Sequence, residues 1–271
     1  MPGPQQRIVI HAGFHKTGTS TAQAVLRKNR AILRAETAMI LPFGLKSVRS
    51  AARGFSTWRD PSALARAAIR FGCRVQEMKL KPARKLLVTS EELSGHMPGR
   101  GDLADYSAAP ELMRAYAEAL EQLFGKRLWL SFVFSLRGAE EWLKSAHGEH
   151  VKSSRMVLDF DSFRQRYSGA SDLPAIVAAI REAVAPHEVR ETWLEDTAAR
   201  RLGPAGPLLD AIGLSDARRA ALGPVAPVNR ALPEAVLCEL LAINRSRRSD
   251  ADARAAKRAL LSALSDQTRT R

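Results

Sequence analysis

The chain has 271 residues, 45% hydrophobic and 26% charged, which is ordinary for a globular protein and excludes a fibrous or disordered class. It carries 42 lysines and arginines against 28 aspartates and glutamates, a net charge of +14, and such a field favours anionic partners: nucleic acid, sulfated or phosphorylated glycans, nucleotides or a membrane face. Cys73 and Cys238 stand far apart without C-x-x-C spacing, so zinc and redox motifs are excluded and two reduced structural thiols are expected.

In chain order, Arg7 to His11 (RIVIH) reads as a compact apolar strand, and Ser20 to Ala35 follows with helical spacing at Ala24, Val25, Leu26, Ile32 and Leu33. A short strand is predicted over 37–42 and a helix over 61–80, then the buried-type strand Lys85 to Thr89 (KLLVT). Pro110 to Phe124 is an amphipathic helix closed by Gly125, and LWLSFVFSL, from Leu128 to Leu136, is the most apolar run. A helix over about 139–151 and a last strand over 187–193 follow; the remainder is helical, broken by GPAGP at 203–207 and GPVAPVN at 223–229. The alternation predicts an α/β fold of three layers, α/β/α, with a mostly parallel sheet covered on both faces. A single domain over 1–271 is expected, with its core over about 7–195 and a helical part over about 196–271. The first residues run into a strand without an apolar leader, and no apolar stretch is long enough for a bilayer, so the expected location is cytoplasmic.

The segment HAGFHKTGTSTAQ, residues 11 to 23, follows the first strand. A strand, a glycine-bearing loop and a helix N-terminus together aim free N–H groups and the positive end of the helix dipole at one spot. Gly13 and Gly18 permit close backbone approach, Thr19, Ser20 and Thr21 supply hydroxyls, and Lys16 adds a full charge. Measured against the nucleotide loop G-x-x-x-x-G-K-[ST], Gly13, Gly18 and Ser20 are in place, but Thr19 holds the lysine slot and Lys16 comes three residues early.

Other segments offer chemistry at strand ends. Arg137 closes the most apolar strand and Ser145 lies eight residues on, two turns into the next helix. The SEE segment after KLLVT sets Ser90, Glu91 and Glu92 at the edge where open α/β sheets bind ligands. Glu91 is the favoured general base, with Glu92 opening a helix; His96 and His15 are alternatives, and His11 is read as bonding at its strand end. His147 and His150 share a helix face but lack a third ligand, so they are read as surface residues and no metal site is expected.

The residues GFHKTGTSTAQ resemble the 5′-phosphosulfate loop of sulfotransferases that use 3′-phosphoadenosine 5′-phosphosulfate (PAPS), a P-loop-related family in which the lysine precedes a T/S-G-T/S-[TS] run. The resemblance implies that Lys16 contacts the 5′-phosphate and the bridging oxygen while Thr17, Gly18, Thr19, Ser20 and Thr21 wrap the phosphate. It likewise implies that Arg137 and Ser145 hold the 3′-phosphate, although Gly138-Ala139 stand where the family commonly has Asp-Pro. The SEE segment resembles the family's Ser-Ser-Glu, and NRAL from Asn229 resembles its N-R-x-L entry to a late helix, which would bring Asn229 and Arg230 to the nucleotide. These motifs cover residues 7 to about 151 with a weaker match near 229, and 43–84 matches nothing specific.

The activity implied is sulfuryl transfer from PAPS to an acceptor hydroxyl, with no metal required and an anionic glycan among the acceptors that a basic cleft suits. One rival is a P-loop kinase or NTPase with an atypical lysine, which needs Mg²⁺ and usually a strand-end aspartate that no apolar strand here supplies. The other is a non-enzymatic polyanion-binding protein. Nucleic acid is not the expected partner, because the basic residues are dispersed and only three tyrosines and four tryptophans could stack on bases.

Overall fold

The computed structural model describes residues 5–269 apart from 198, 227, 229 and 230, with side chains through 264. Strand β1 (Gln6–His11) leads into α1 (Thr19–Lys28) and α2 (Arg30–Leu33), then β2 (Thr37–Ile40). Next come α3 (Lys46–Trp58), α4 (Pro61–Gln76) and β3 (Lys85–Thr89), followed by α5 (Ala109–Phe124) and β4 (Leu128–Leu136). After β4 lie α6 (Ala139–Ser153), α7 (Phe160–Tyr167), α8 (Leu173–Ala183) and β5 (Glu188–Trp193). The C-terminal part holds α9 (Leu194–Thr197), α10 (Gly206–Ala211), α11 (Asp216–Ala221), α12 (Glu234–Arg245) and α13 (Asp250–Arg269).

Local chemistry accounts for several boundaries. Asp60 caps α4 by accepting from the Ser62 N–H, with Pro61 in the first turn, and Asp172 caps α8 through the Ala175 N–H. The helix expected over 20–35 breaks at Asn29, because its side chain is bonded elsewhere. Its Nδ2 donates to the Val25 and Gly223 carbonyls, and its Oδ1 accepts from the Gly223 N–H. Asn29 therefore staples Gly223, the first residue after α11 and Leu222, onto α1 instead of continuing the helix. α3 went unread in the sequence; its buried positions Val48, Ala51, Ala52 and Phe55 keep helical spacing.

All five strands run parallel in the order β2-β3-β1-β4-β5. The period-2 alternation of strands splits the apolar residues cleanly between two faces. Ile8, Ile10, Leu86, Val88, Phe132 and Phe134 join a core built with α3, α4, α5 and α8. Val9, Leu87 and Val133 meet α1, α2 and α10 through Val25, Leu26, Leu33, Leu208 and Leu209. The three-layer α/β/α class expected from the sequence is what the chain adopts. Because α1 leaves β1 toward one face and α5 follows β3 on the other, the carboxyl ends of these neighbouring strands open a crevice, the usual ligand position in such sheets.

Two expectations are corrected. Cys73 and Cys238 are free but exposed, so they are not core thiols. His147 and His150 are buried, 8% and 0% exposed, because α6 is covered by the segments around Pro98 and Leu158. His147 Nε2 bonds the Leu158 carbonyl at 2.9 Å and His150 Nε2 the Pro98 carbonyl at 2.7 Å. Among the described residues, no helix is long and apolar enough to cross a membrane.

Candidate functional site

The loop between β1 and α1 sits over the crevice on a polar floor. His11, at the end of β1, is fully buried and bonds Thr89 Oγ1 on β3 and Ser135 Oγ on β4, each at 2.9 Å. Burial holds its imidazole down to about 4, against a smaller upward pull from Glu91, so the ring is neutral. The chain then crosses that ring at Gly13, where an added Cβ would lie 2.7 Å from His11 Nε2, which is why a glycine stands there.

Two residues of the loop take left-handed backbone angles, Lys16 at φ 68 and Gly18 at φ 90. Glycine adopts this freely, whereas a lysine does so at a cost that its surroundings must offset. Trp142 of α6 donates its indole N–H to the His15 carbonyl at 2.9 Å, and Arg137, just after β4, donates to the Lys16 carbonyl at 3.2 Å. With those carbonyls tied to the β4–α6 corner, the N–H groups of Thr17, Gly18 and Thr19 have no acceptor among the described residues. Left-handed turns of this kind at a helix N-terminus form a concave nest of donors suited to an anion. Leu194 and Pro204 press against Gly18 from the other side, where a Cβ would meet them at 2.7 and 3.3 Å.

The hydroxyls of the loop differ in what they can offer. Thr17 is buried and donates to the Phe14 carbonyl at 2.6 Å, so only its N–H is available. Thr19 is 3% exposed, Thr21 Oγ1 accepts from the Val228 N–H at 3.2 Å, and Ser20 is half-buried at the start of α1.

Lys16 Nζ pairs with Glu149 Oε2 on α6 at 3.1 Å, and Lys152 holds the same oxygen at 2.8 Å. Burial would push the Glu149 carboxyl up, but the two lysines outweigh it and bring it down to about 2. Arg137 also approaches Glu141 at 3.8 Å. Glu141, Ser145 and Glu149 lie four residues apart and so form one stripe along α6. Ser145 is therefore set on α6 between the residue that meets Arg137 and the residue that meets Lys16, and it is half-buried.

On the β3 side, Glu91 begins a single 3-10 turn and accepts from Gln23 of α1 at 2.9 Å, which holds its carboxylate against the second turn of that helix. Glu92 turns away to Arg49 and Arg53 of α3. Burial would raise Glu92, but these arginines prevail and its carboxyl is held below the ordinary value. His96 is half-buried, and burial together with Arg53 and Arg100 lowers its pKa.

His15 is anchored by Tyr106, whose hydroxyl accepts from the His15 N–H at 3.2 Å and meets His15 Nδ1 at 3.0 Å. Burial drives this imidazole down to about 3; Glu92 opposes the shift, while His96, Arg100 and Lys16 add to it. A neutral ring whose Nδ1 accepts the buried tyrosine proton carries its own proton on Nε2, so His15 is a donor in this arrangement.

The structure thus gathers Lys16, Gly18, Thr19, Ser20 and Arg137 around one loop, with Ser145 on the α6 stripe between Glu141 and Glu149 and Glu91 held against α1 by Gln23. The Thr17 hydroxyl is committed to the Phe14 carbonyl, Thr21 Oγ1 accepts from the Val228 N–H and keeps its own proton to donate, and Asn229 and Arg230 lie outside the described residues. The sequence reading missed Glu149, Gln23 and Tyr106. Glu149 had a legible signal, being four residues beyond Ser145 on the same helix; Tyr106 sits in a loop without any pattern.

Two buried imidazoles, His11 and His150, and the half-buried His15 make a pH prediction. His11 and His150 titrate at about 4 and His15 at about 3, against 6.5 in an unfolded chain. The unfolded state then binds protons that the native state refuses, so the stability linked to these groups is full above pH 6.5 and is lost as pH falls toward 4. The fully buried His11 alone contributes on the order of 3 kcal/mol. The melting temperature should be nearly flat around neutrality and fall steeply below pH 6.5; a flat profile down to pH 4 contradicts the burial of these rings.

The site is a donor-lined loop suited to an anion at the carboxyl edge of a parallel α/β/α sheet, with Lys16 inside the loop and Arg137 at the end of the neighbouring strand β4. No protein-family model matches the chain, and no curated protein matches it. Among solved structures it is similar to a sulfotransferase from Alicyclobacillus acidocaldarius, with 15% identity and a TM-score of 0.44 over 96% of this chain and 95% of that one. So remote a likeness leaves the fold class to rest on the strand order and the function on the site itself.

Proposed function

We propose that the chain is a sulfotransferase that moves the sulfuryl group of PAPS to an acceptor hydroxyl. The observation that carries this reading is the position of Lys16. It lies inside the donor nest, ahead of α1, and its carbonyl is bound by the strand-end Arg137. A lysine there can meet charge that grows on a phosphate oxygen as a bond to it breaks, while the helix N-terminus holds the remaining phosphate oxygens.

The residues present fit the donor. When bound, PAPS supplies the sulfuryl group and a 5′-phosphate leaving group. The N–H groups of Thr17, Gly18 and Thr19, with the start of α1 at Ser20, bind the 5′-phosphate; Arg137 and Ser145 bind the 3′-phosphate, the arginine through its forked donors. Lys16 turns from Glu149 to the leaving oxygen, and Lys152, already on the same carboxylate oxygen, keeps Glu149 compensated. Glu91 takes the proton of the acceptor hydroxyl. It is favoured over His15, whose lone pair faces Tyr106 and whose basicity is suppressed. Gln23 orients the Glu91 carboxylate from α1.

The test is thermal stabilisation by 3′,5′-adenosine bisphosphate beside ATP with Mg²⁺. The bisphosphate should raise the melting temperature at concentrations where ATP–Mg²⁺ does not. Stabilisation by ATP–Mg²⁺ with indifference to the bisphosphate would point instead to a kinase or NTPase.

A further inference from the structure

A cavity of about 260 Å³ lies between the end of α6 and the first turns of α13, outside the loop. Its walls carry Lys152, Arg155, Arg254, Lys257 and Arg258 against a single acid, Asp250. Arg155 and Asp250 neutralise each other at 2.8 Å, and Arg155 spends its other donors on the carbonyls of Asn244, Ser246 and Arg248. Arg254 and Arg258 have no acidic partner among the described residues. They stand four apart on one exposed face of α13.

Lys257 is the unusual member. It is 5% exposed, and its Nζ donates to the Val151 carbonyl at 3.1 Å and the Ser154 carbonyl at 2.7 Å, the end of α6. An ammonium group has three hydrogens, so one remains without an acceptor among the described residues, on the wall of a cavity already rich in cations. A third hydrogen on a cavity wall is open to water or to a bound anion. Burial, with Arg155 and Arg100 nearby, also lowers the pKa of Lys257, as expected where positive charge lacks compensation.

One wall residue links the cavity to the loop: Lys152 lines it and shares one Glu149 oxygen with Lys16. From Ser145 to Lys152 along α6 is about 10 Å, at 1.5 Å per residue.

We propose that this groove is the acceptor subsite and that the acceptor is an anionic oligosaccharide. On the proposed sulfotransferase reading, on which this rests, a carboxylate or sulfate group of the acceptor sits among Lys257, Arg254 and Arg258 while a hydroxyl of a neighbouring sugar reaches Lys16 and Glu91. The lining favours a glycan over a nucleic acid. None of its residues is aromatic, so bases would have no stacking platform; Ser153 and Ser154 donate to the Glu149 and His150 carbonyls and offer a sugar only acceptor oxygens.

The test is calorimetric titration of the full chain with a heparin-derived hexasaccharide, its desulfated and carboxyl-reduced counterpart, a single-stranded oligothymidylate and 3′,5′-adenosine bisphosphate. Three proteins are compared: wild type, the double variant Arg254→Glu/Arg258→Glu, and the charge-matched control Arg30→Glu/Arg34→Glu, exposed positions at the start of α2 and just beyond its end. The hexasaccharide should bind wild type and the control alike and the groove variant at least about tenfold more weakly, with bisphosphate affinity equal in all three. Equal loss in both variants, equal binding of the neutral counterpart, or tighter binding of the oligothymidylate overturns the proposal. Absence of bisphosphate binding to wild type overturns the sulfotransferase reading instead, and the hexasaccharide series still decides whether the groove binds anions.

Discussion

Lys16→Ala is expected to lower the rate of sulfuryl transfer from PAPS by about 10³-fold, close to 4 kcal/mol of transition-state stabilisation. The size follows from where the charge sits. A cation in a preorganised nest meets the leaving oxygen only as its charge develops, so its loss falls mainly on kcat. The fold should survive the change, because Lys152 remains on Glu149 and the tie between Arg137 and the residue 16 carbonyl does not involve the side chain. Formation of 3′,5′-adenosine bisphosphate from PAPS, followed with an acceptor present, gives the rate, and circular dichroism checks the fold. A Lys16→Ala protein that turns over within about tenfold of wild type removes Lys16 from the chemistry.

Glu91→Gln is the second large effect. The amide keeps the shape and can still meet Gln23, but it cannot take a proton, so kcat should fall by about 10² to 10⁴ with little change in bisphosphate affinity. His15→Asn should cost far less, because the lone pair of the neutral imidazole is already turned to Tyr106 and its basicity is suppressed by burial. The reverse ranking, with His15→Asn the more damaging change and Glu91→Gln nearly silent, assigns the base to the loop histidine.

Much of the fold was legible because the strands are buried on both faces and bounded by clear breaks. KLLVT and LWLSFVFSL became strands over the residues expected, Lys85–Thr89 and Leu128–Leu136. The loop was legible because a glycine pair, a hydroxyl run and a lysine between a strand and a helix leave few other uses for those residues. What escaped was tertiary. α3 carries a glycine and six exposed or half-buried polar positions, Lys46, Ser47, Arg49, Ser50, Arg53 and Thr57, that blur its spacing, yet Phe55 and Val48 fix it to the core. Asn29 looked like a mid-helix residue and proved to be a tether to Gly223, nearly two hundred residues on. His147 and His150 looked exposed by their spacing on α6, but the chain around Pro98 and Leu158 closes over them. The pairing of Lys16 with Glu149 joins residues 133 apart in sequence, which local pattern does not reveal.

The central claim is that one loop and one strand-end arginine read the two phosphates of a 3′,5′-bisphosphorylated nucleoside. Calorimetry with 3′,5′-adenosine bisphosphate and with 5′-AMP, on wild type and Arg137→Ala, tests it most directly. Wild type should prefer the bisphosphate by about tenfold to a hundredfold, the worth of one charge-assisted fork on a phosphate, and Arg137→Ala should bind both nucleotides alike. A wild type that does not distinguish the two, or a preference that survives in Arg137→Ala, contradicts the account.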